Sequence, residues 1–455
     1  MMTNRILRRS ALFLGLLAAP VSLAAQAPQV RTLSLDSAVV LAEPASEVVG
    51  IAKAGVSRAQ GAQSQSQAVF WPQITGNASY TRTLQSQFEG AFGSDTSVAG
   101  PDFSSLPFGQ ANAWVVGVQG SWVLFNGMKN FAGASAARAE TRAAETGLLS
   151  SRAANLLRTA EFYYDALLAD RFLAIAESTL AQTEATLRET QLGFDVGNRA
   201  EFDLLRAKVN RDNARPTVIQ QRAQRDIAYL RLKQLVGVPL NDSLVLSSRL
   251  EDSVLMVPRA ATAFSGDTAL DSRAPVVQAQ EAVTASSERL RVARGEFYPS
   301  LVLQSNYNRY GYPQSISPNW DQMHPDWNVV IGLQMPLFTG GRIRGGKDAA
   351  RASLEDSRLR LQQTRELAEV ELRNAITTHD AAQAAYDASS GTAQQAQRAY
   401  DIADVRYREG ISTQTELADA RILLQQAQAQ RAQAARALQV ARLRLAVLRD
   451  LPLGS

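Results

Sequence analysis

Trp114-Val-Val-Gly-Val-Gln-Gly-Ser-Trp-Val-Leu-Phe-Asn-Gly127 is answered 213 residues later by Trp327-Asn-Val-Val-Ile-Gly-Leu-Gln-Met-Pro-Leu-Phe-Thr-Gly340. Trp114 matches Trp327, Val116 matches Val329, Val118 matches Ile331, and Leu124-Phe125 matches Leu337-Phe338. Within each stretch the residues alternate, as successive strand side chains do. Trp114, Val116, Val118, Trp122 and Leu124 share one face, with Gln119 and Ser121 on the other. Trp327, Val329, Ile331, Leu333 and Met335 likewise oppose Asn328, Gly332 and Gln334.

The same offset runs on through Leu148 and Leu361, Phe194 and Tyr407, Gly197 and Gly410, Leu204 and Leu417, and Pro239-Leu240 and Pro452-Leu453. The chain is therefore a two-fold internal repeat. Upstream, Phe70-Trp-Pro-Gln-Ile74 matches Phe297-Tyr-Pro-Ser-Leu301 with the offset lengthened by 14 residues. That surplus falls in the Gly/Ser/Pro-rich stretch 90–110, which reads as a loop. The later counterpart, 311–326, has the same character and carries His324. Further strands alternate here: Ile74, Ala78 and Tyr80 oppose Thr75, Asn77 and Ser79, and Leu301, Leu303 and Tyr307 oppose Gln304, Asn306 and Asn308.

Each half thus reads helix, strand, loop, strand, long helix, turn, helix. Repeat 1 spans 28–240, with strands about 72–88 and 111–125 and helices 130–193 and 201–235. An equatorial connector follows at 241–270. Repeat 2 spans 271–455, with strands about 299–310 and 327–338 and helices 341–407 and 413–449. Gly127, Gly340 and Gly341 mark the strand-to-helix joints, and Gly197 and Gly410 the hairpin turns. Each long helix would reach roughly 95–100 Å, far more than a globular domain needs. Leu417, Leu424, Leu438 and Leu445 recur by sevens with Arg431 between them, and Ala420, Ala427, Ala434, Ala441 and Leu448 take the partner position. Leu149, Leu156 and Tyr163 pair similarly with Ala153, Ala160 and Leu167, the layering of a coiled coil. Pro216 lacks the donor a helix interior needs, so a kink or break is expected there.

Residues 1–27 read as an export signal: Arg5, Arg8 and Arg9, an apolar stretch from Ala11 to Leu23, then small residues at Ala24, Ala25 and Ala27. Removing it leaves 44 basic against 43 acidic residues, a balance that argues against a nucleic-acid partner. Elsewhere no apolar run reaches the ~18 residues of a spanning helix. A membrane-embedded form would then have to be a barrel, since only helices and closed barrels satisfy their backbones in lipid. Apolar-out, polar-in alternation suits such strands, although a soluble β-sandwich face alternates too. Trp114 and Trp327 suit membrane-interface aromatics facing outer-membrane lipid. Four strands cannot close alone, so copies must associate.

With no cysteine, disulfides, thiolate sites and a lipidated N-terminal cysteine are excluded. Neither His324 nor His379 has a partner at metal-ligand spacing, no nucleophile elbow occurs, and no catalytic residue, cofactor or metal is expected. Gly341-Arg-Ile-Arg-Gly-Gly-Lys347 has phosphate-loop spacing, but Asp348 stands where a hydroxyl should reach magnesium.

The ordered set Phe-Tyr-Pro-Ser-Leu at 297–301, Pro-Leu-Phe-Thr-Gly-Gly at 336–341 and the hairpins around Gly197 and Gly410 resembles the TolC family of outer-membrane efflux and secretion channels, from about Leu33 to Leu453. The resemblance implies an α+β membrane protein: a homotrimer whose four strands per chain form a 12-stranded β-barrel, continued by a coiled-coil periplasmic tunnel. It implies a passive exit duct in a tripartite efflux pump or type I secretion system, working with a periplasmic adaptor protein and an inner-membrane pump. By position from the turn glycines, Glu416 and Asp419 match the family's acidic aperture ring, and Asp203 and Tyr407 match residues linking neighbouring helices in the closed state. Gly197 and Gly410 mark the adaptor-docking end. Two carboxylates three apart lie on one helix face, and threefold symmetry would gather about six around one axis. Arg206 and Ser412 do not complete the family's gating network. A soluble periplasmic coiled-coil scaffold without a channel is the competing reading.

Overall fold

The computed structural model describes residues 30–85, 110–250, 270–313, 315–316 and 318–454. The export signal and most of the 90–110 loop lie outside them. Two short strands, β1 (Val30–Leu33) and β4 (Ser243–Leu246), pair in parallel and tie the chain start to the segment after repeat 1. Between them come α1 (Leu35–Ala45), α2 (Glu47–Ala68), β2 (Gln73–Arg82), β3 (Asn112–Phe125), α3 (Lys129–Asp195) and α4 (Glu201–Val236). Repeat 2 follows as α5 (Ala274–Gly295), β5 (Ser300–Gly311), β6 (Met323–Gln334), α6 (Arg342–Arg408) and α7 (Gln414–Val447).

The chain before β2 is broken at Ser46, which caps α2 by accepting from the Val49 amide at 3.4 Å. Both long helices run 67 residues. The main core sits at the middle of α3, where Leu156, Tyr163 and Leu167 meet α1, the ends of α4 and α7, and the β1–β4 pair. Tyr163 is fully buried, and its hydroxyl donates to the Leu33 carbonyl at 3.1 Å. Leu417, Leu424, Leu438, Ala427, Ala441 and Leu448 are buried as the heptads require, whereas Leu149 is 44% exposed.

Three local expectations need correction. Pro216 does not end its helix, since α4 is assigned helical from Glu201 to Val236. Pro216 and Asp212, whose carbonyl loses its donor, are both exposed, so water can satisfy that oxygen while Val218 and Tyr229 hold the helix on the core side. His324 is not in a loop but in β6, paired with Tyr310. Finally, β6 lies at Met323–Gln334 rather than 327–338, because Pro336 has no amide to extend a ladder. Leu337 and Phe338, each 91% exposed, therefore lie past the strand, although their repeat partners close β3.

The larger sheet has the order β2-β3-β5-β6, antiparallel throughout, leaving β2 and β6 as open edges. Pro325 sits in edge strand β6, a tolerated place for it. Among the described residues no helix packs on either face of this sheet, and every β2 residue is exposed. At the sheet's end the chain crosses itself: Gly127 has φ +67°, and a Cβ there would overlap the Gly295 carbonyl and stand 2.8 Å from the Tyr298 Cβ. Only glycine fits.

Candidate functional site

Two places carry the features a site needs: the faces of the sheet and the far ends of the helical hairpins. In antiparallel pairs, facing residues share a side. Val118 pairs with Gly76 and Tyr307, and Tyr307 with Trp327; Trp122 pairs with Leu303, and Leu303 with Ile331. The apolar sets of all four strands therefore fall on one face. The opposite face carries the row Thr75, Gln119, Asn306, Asn328, with the Asn306 amide donating to Asn328 Oδ1 at 3.1 Å. Trp114 stacks on Tyr80 with centroids 5.0 Å apart, and its indole donates to the Ile316 carbonyl at 2.8 Å. Trp327 is 72% exposed and lies level with Val118 in the register, four residues along β3 from Trp114.

At the other end the two turns repeat in their backbone bonds. Asn198 and Arg199 amides donate to the Gly193 carbonyl at 2.7 and 3.1 Å, and Ile411 and Ser412 amides to the Arg406 carbonyl at 2.8 and 3.2 Å. Gly197 (φ +80°) and Gly410 (φ +73°) supply the left-handed residue that such helix ends require. A Cβ at Gly410 would touch nothing, so only backbone strain opposes a side chain. Gly410→Val should lower stability by about 1–3 kcal/mol and Gly410→Asn by clearly less, read from thermal midpoints in detergent. Equal losses would mean the turn is held by contacts instead. Gly340 (φ +57°) and Gly341 (φ +87°) supply the same freedom at the second strand-to-helix joint.

Tyr407 is 1% exposed and packs with Tyr400, Leu417 and Leu424. Its hydroxyl lies 2.8 Å from that of Thr190 on α3. Arg199 spreads its guanidinium 4.5 Å over the Tyr407 ring and donates to the Tyr407 carbonyl at 2.9 Å. Asp203 makes no bond to Tyr407 among the described residues. Its backbone carbonyl instead accepts from the buried Gln414 amide at 3.1 Å, with that amide oriented as its neighbours require. Glu416 and Asp419 are both exposed, and Glu416 occupies the first turn of α7, where the Thr413 hydroxyl caps its amide at 3.3 Å. Arg206 donates to the Thr415 hydroxyl at 2.5 Å, and the buried Ser412 hydroxyl has no partner among the described residues.

Sequence reasoning passed over Arg199, Thr190 and Arg421. Arg421 had a signal, since it stands four after Leu417 and three before Leu424 and so on their buried stripe. Arg273 was missed as well: 1% exposed, it donates to the Ala368 carbonyl and to Glu371, both at 2.9 Å. Among the described residues no group of His, Cys, Asp or Glu could hold a metal ion.

A profile described as "Outer membrane efflux protein" matches residues 46–238 and 266–449, the two repeats in turn. The chain belongs to the outer membrane efflux protein family. Among relatives of this family it is 29% identical to the alkaline protease secretion protein AprF of Pseudomonas aeruginosa over 205 residues, 44% of this chain and 42% of that one. It is 22% identical to the probable efflux pump outer membrane protein TtgC of Pseudomonas putida over 285 residues, 61% of this chain and 57% of that one. Those matched stretches thus cover about half of each relative. Across solved structures the likeness is broader. The Vibrio cholerae outer membrane protein VceC superposes with a TM-score of 0.72 at 20% identity, covering 91% of this chain and 95% of that one. The Campylobacter jejuni outer membrane channel CmeC gives 0.73 at 19%, covering 92% and 87%. This family member shares the fold of those channels. None of its described helices is long and apolar enough to cross a membrane.

Proposed function

We propose that three copies of this chain join their four-stranded sheets into one closed barrel in the outer membrane, continued by the helices into the periplasm as a passive exit duct. The observation that carries the reading is a sheet with two open edges, no covering helix among the described residues and one mainly apolar face. Open edges do not persist in lipid. In the four-strand antiparallel order, β6 of one copy runs opposite to β2 of the next, so the ring closes without a change of pattern. The apolar face then meets lipid and the Thr75–Gln119–Asn306–Asn328 row lines a wet lumen. Trp114 then stands at the loop end of the barrel, with Trp327 four residues further in on the same lipid-facing side.

An adaptor protein and an inner-membrane pump would supply the energy, with Gly197 and Gly410 at the docking end; one relative is named for protease secretion and the other for an efflux pump, in keeping with an exit duct. The soluble-scaffold alternative needs a sandwich, and among the described residues the sheet has no second layer to pack on. Fractionation with cross-linking tests the reading: a detergent-requiring trimer in the outer-membrane fraction is expected, and a soluble monomer sinks it.

Glu416 and Asp419 are assigned to the periplasmic aperture, with Asp203 and Tyr407 in the hairpin packing behind it. Glu416→Ala together with Asp419→Ala should cut cation preference and multivalent-cation block in planar bilayers. Unchanged selectivity would leave those carboxylates as ordinary helix-start residues.

A further inference from the structure

We propose that the cavity where α4 and α7 lie against α3 is a binding site for a small oxyanion, with Arg421 as its cation. The cavity has a volume of about 210 Å³ and sits behind the hairpin ends, bounded by Thr183 of α3, Asn210 and Asn213 of α4, and Arg421 and Gln425 of α7. This inference does not require the chain to be a channel.

Arg421 is 6% exposed, and a guanidinium stays charged at any accessible pH. Buried charges are normally paired. Three other buried or half-buried arginines between helices follow that rule: Arg273 meets Glu371 at 2.9 Å, Arg225 meets Asp170 at 2.6 Å and Arg436 meets Asp165 at 2.9 Å. Among the described residues Arg421 has no carboxylate oxygen within 4.0 Å; it donates from Nη2 to Thr186 Oγ1 at 2.9 Å and reaches the Tyr400 hydroxyl, both neutral partners, and its Nε is buried without a partner. Asp404, whose charge reaches the neighbouring Tyr400, is already held by Arg408 at 2.9 Å. An anion in the adjoining cavity would supply the counter-charge that these neutral partners do not.

The cavity wall is suited to supply the rest of the coordination. It carries no carboxylate. The side-chain amides of Asn210, Asn213 and Gln425 have no partner among the described residues and can turn donors inward. Thr179 and Thr183 are not donors here, because their hydroxyls already bond the Ile175 and Leu180 carbonyls at 2.9 and 2.8 Å. One guanidinium and three amides suit a phosphate or sulfate, for which charge-assisted hydrogen bonds are strongest. An ion held there would bridge α4 to α7, one helix from each repeat, and so tie the two hairpins together near their turns.

Inorganic phosphate is the probe, titrated by calorimetry against the detergent-solubilised full chain at constant ionic strength, with chloride as control and thermal midpoints as a second readout. One saturable site per chain is expected, with a phosphate-dependent rise in midpoint. Arg421→Met should abolish it, and Asn213→Leu, which leaves the arginine in place, should weaken it about tenfold or more. If Arg421→Met does not fold, Asn213→Leu and Gln425→Leu decide the matter. Phosphate stabilisation that survives these changes would reveal an adventitious ion only and overturn the proposal. So would no phosphate binding at all, whether water or a neighbouring copy's carboxylate fills the cavity. Conductance of the same preparation in planar bilayers reports on the duct separately, so failure of one reading is distinguishable from failure of the other.

Discussion

Val118→Arg should abolish recovery of assembled trimer from the outer-membrane fraction, while Gln119→Arg, one residue along the same strand, should leave it near the wild-type level. Val118 lies mid-way along β3 on the face shared with Tyr307 and Trp327. If that face meets lipid, an arginine near the bilayer midplane costs about 2–4 kcal/mol in each copy. Symmetry repeats the penalty in all three chains of the proposed assembly. Gln119 belongs to the opposite face, flanked by Thr75 and Asn306, where a cation would be hydrated by the lumen. The two substitutions add the same side chain at neighbouring positions, so propensity and expression effects largely cancel. Equal tolerance would show that neither face is in hydrocarbon. Loss at 119 with tolerance at 118 would turn the sheet inside out.

Both faces could be read from the sequence because strand alternation has a period of two, and the repeat supplied each pattern twice. The hairpin turns were legible for a related reason: Gly197 and Gly410 sit at equivalent positions, and the same backbone bonds form around each. What failed was local and depended on surroundings. Pro216 carries a strong helix-breaking propensity, but its position on the exposed side of α4 leaves the orphaned carbonyl in water. The end of β6 departs from the repeat at Pro336, where β3 has Val123 in the equivalent place, so the offset alone overextends the strand. The packing around Tyr407 could not be foreseen in detail. Its partners Thr190 and Arg199 are polar residues on another helix and a turn, and no periodicity brings them together.

Arg273 was invisible for the same reason, and it is the basis of the other large expected effect. Its guanidinium sits at the start of α5, 1% exposed, and reaches across to the Ala368 carbonyl and the Glu371 carboxylate of α6. Glu371 also accepts from the amide of Gly454, so three parts of repeat 2 converge on one carboxylate. Glu371→Leu should therefore destabilise by about 3–5 kcal/mol, because it strands a buried cation whose Nε is already without a partner. Arg273→Met should be milder, since Glu371 is 27% exposed and keeps water and the Gly454 amide. The double variant Arg273→Met with Glu371→Leu should recover most of the loss, as well-packed apolar pairs often replace buried ion pairs without penalty. The readout is a double-mutant cycle on thermal midpoints of the detergent-solubilised chain. Additive losses in the cycle would mean that the two side chains act independently and that the C-terminal segment, rather than the ion pair, holds α5 against α6.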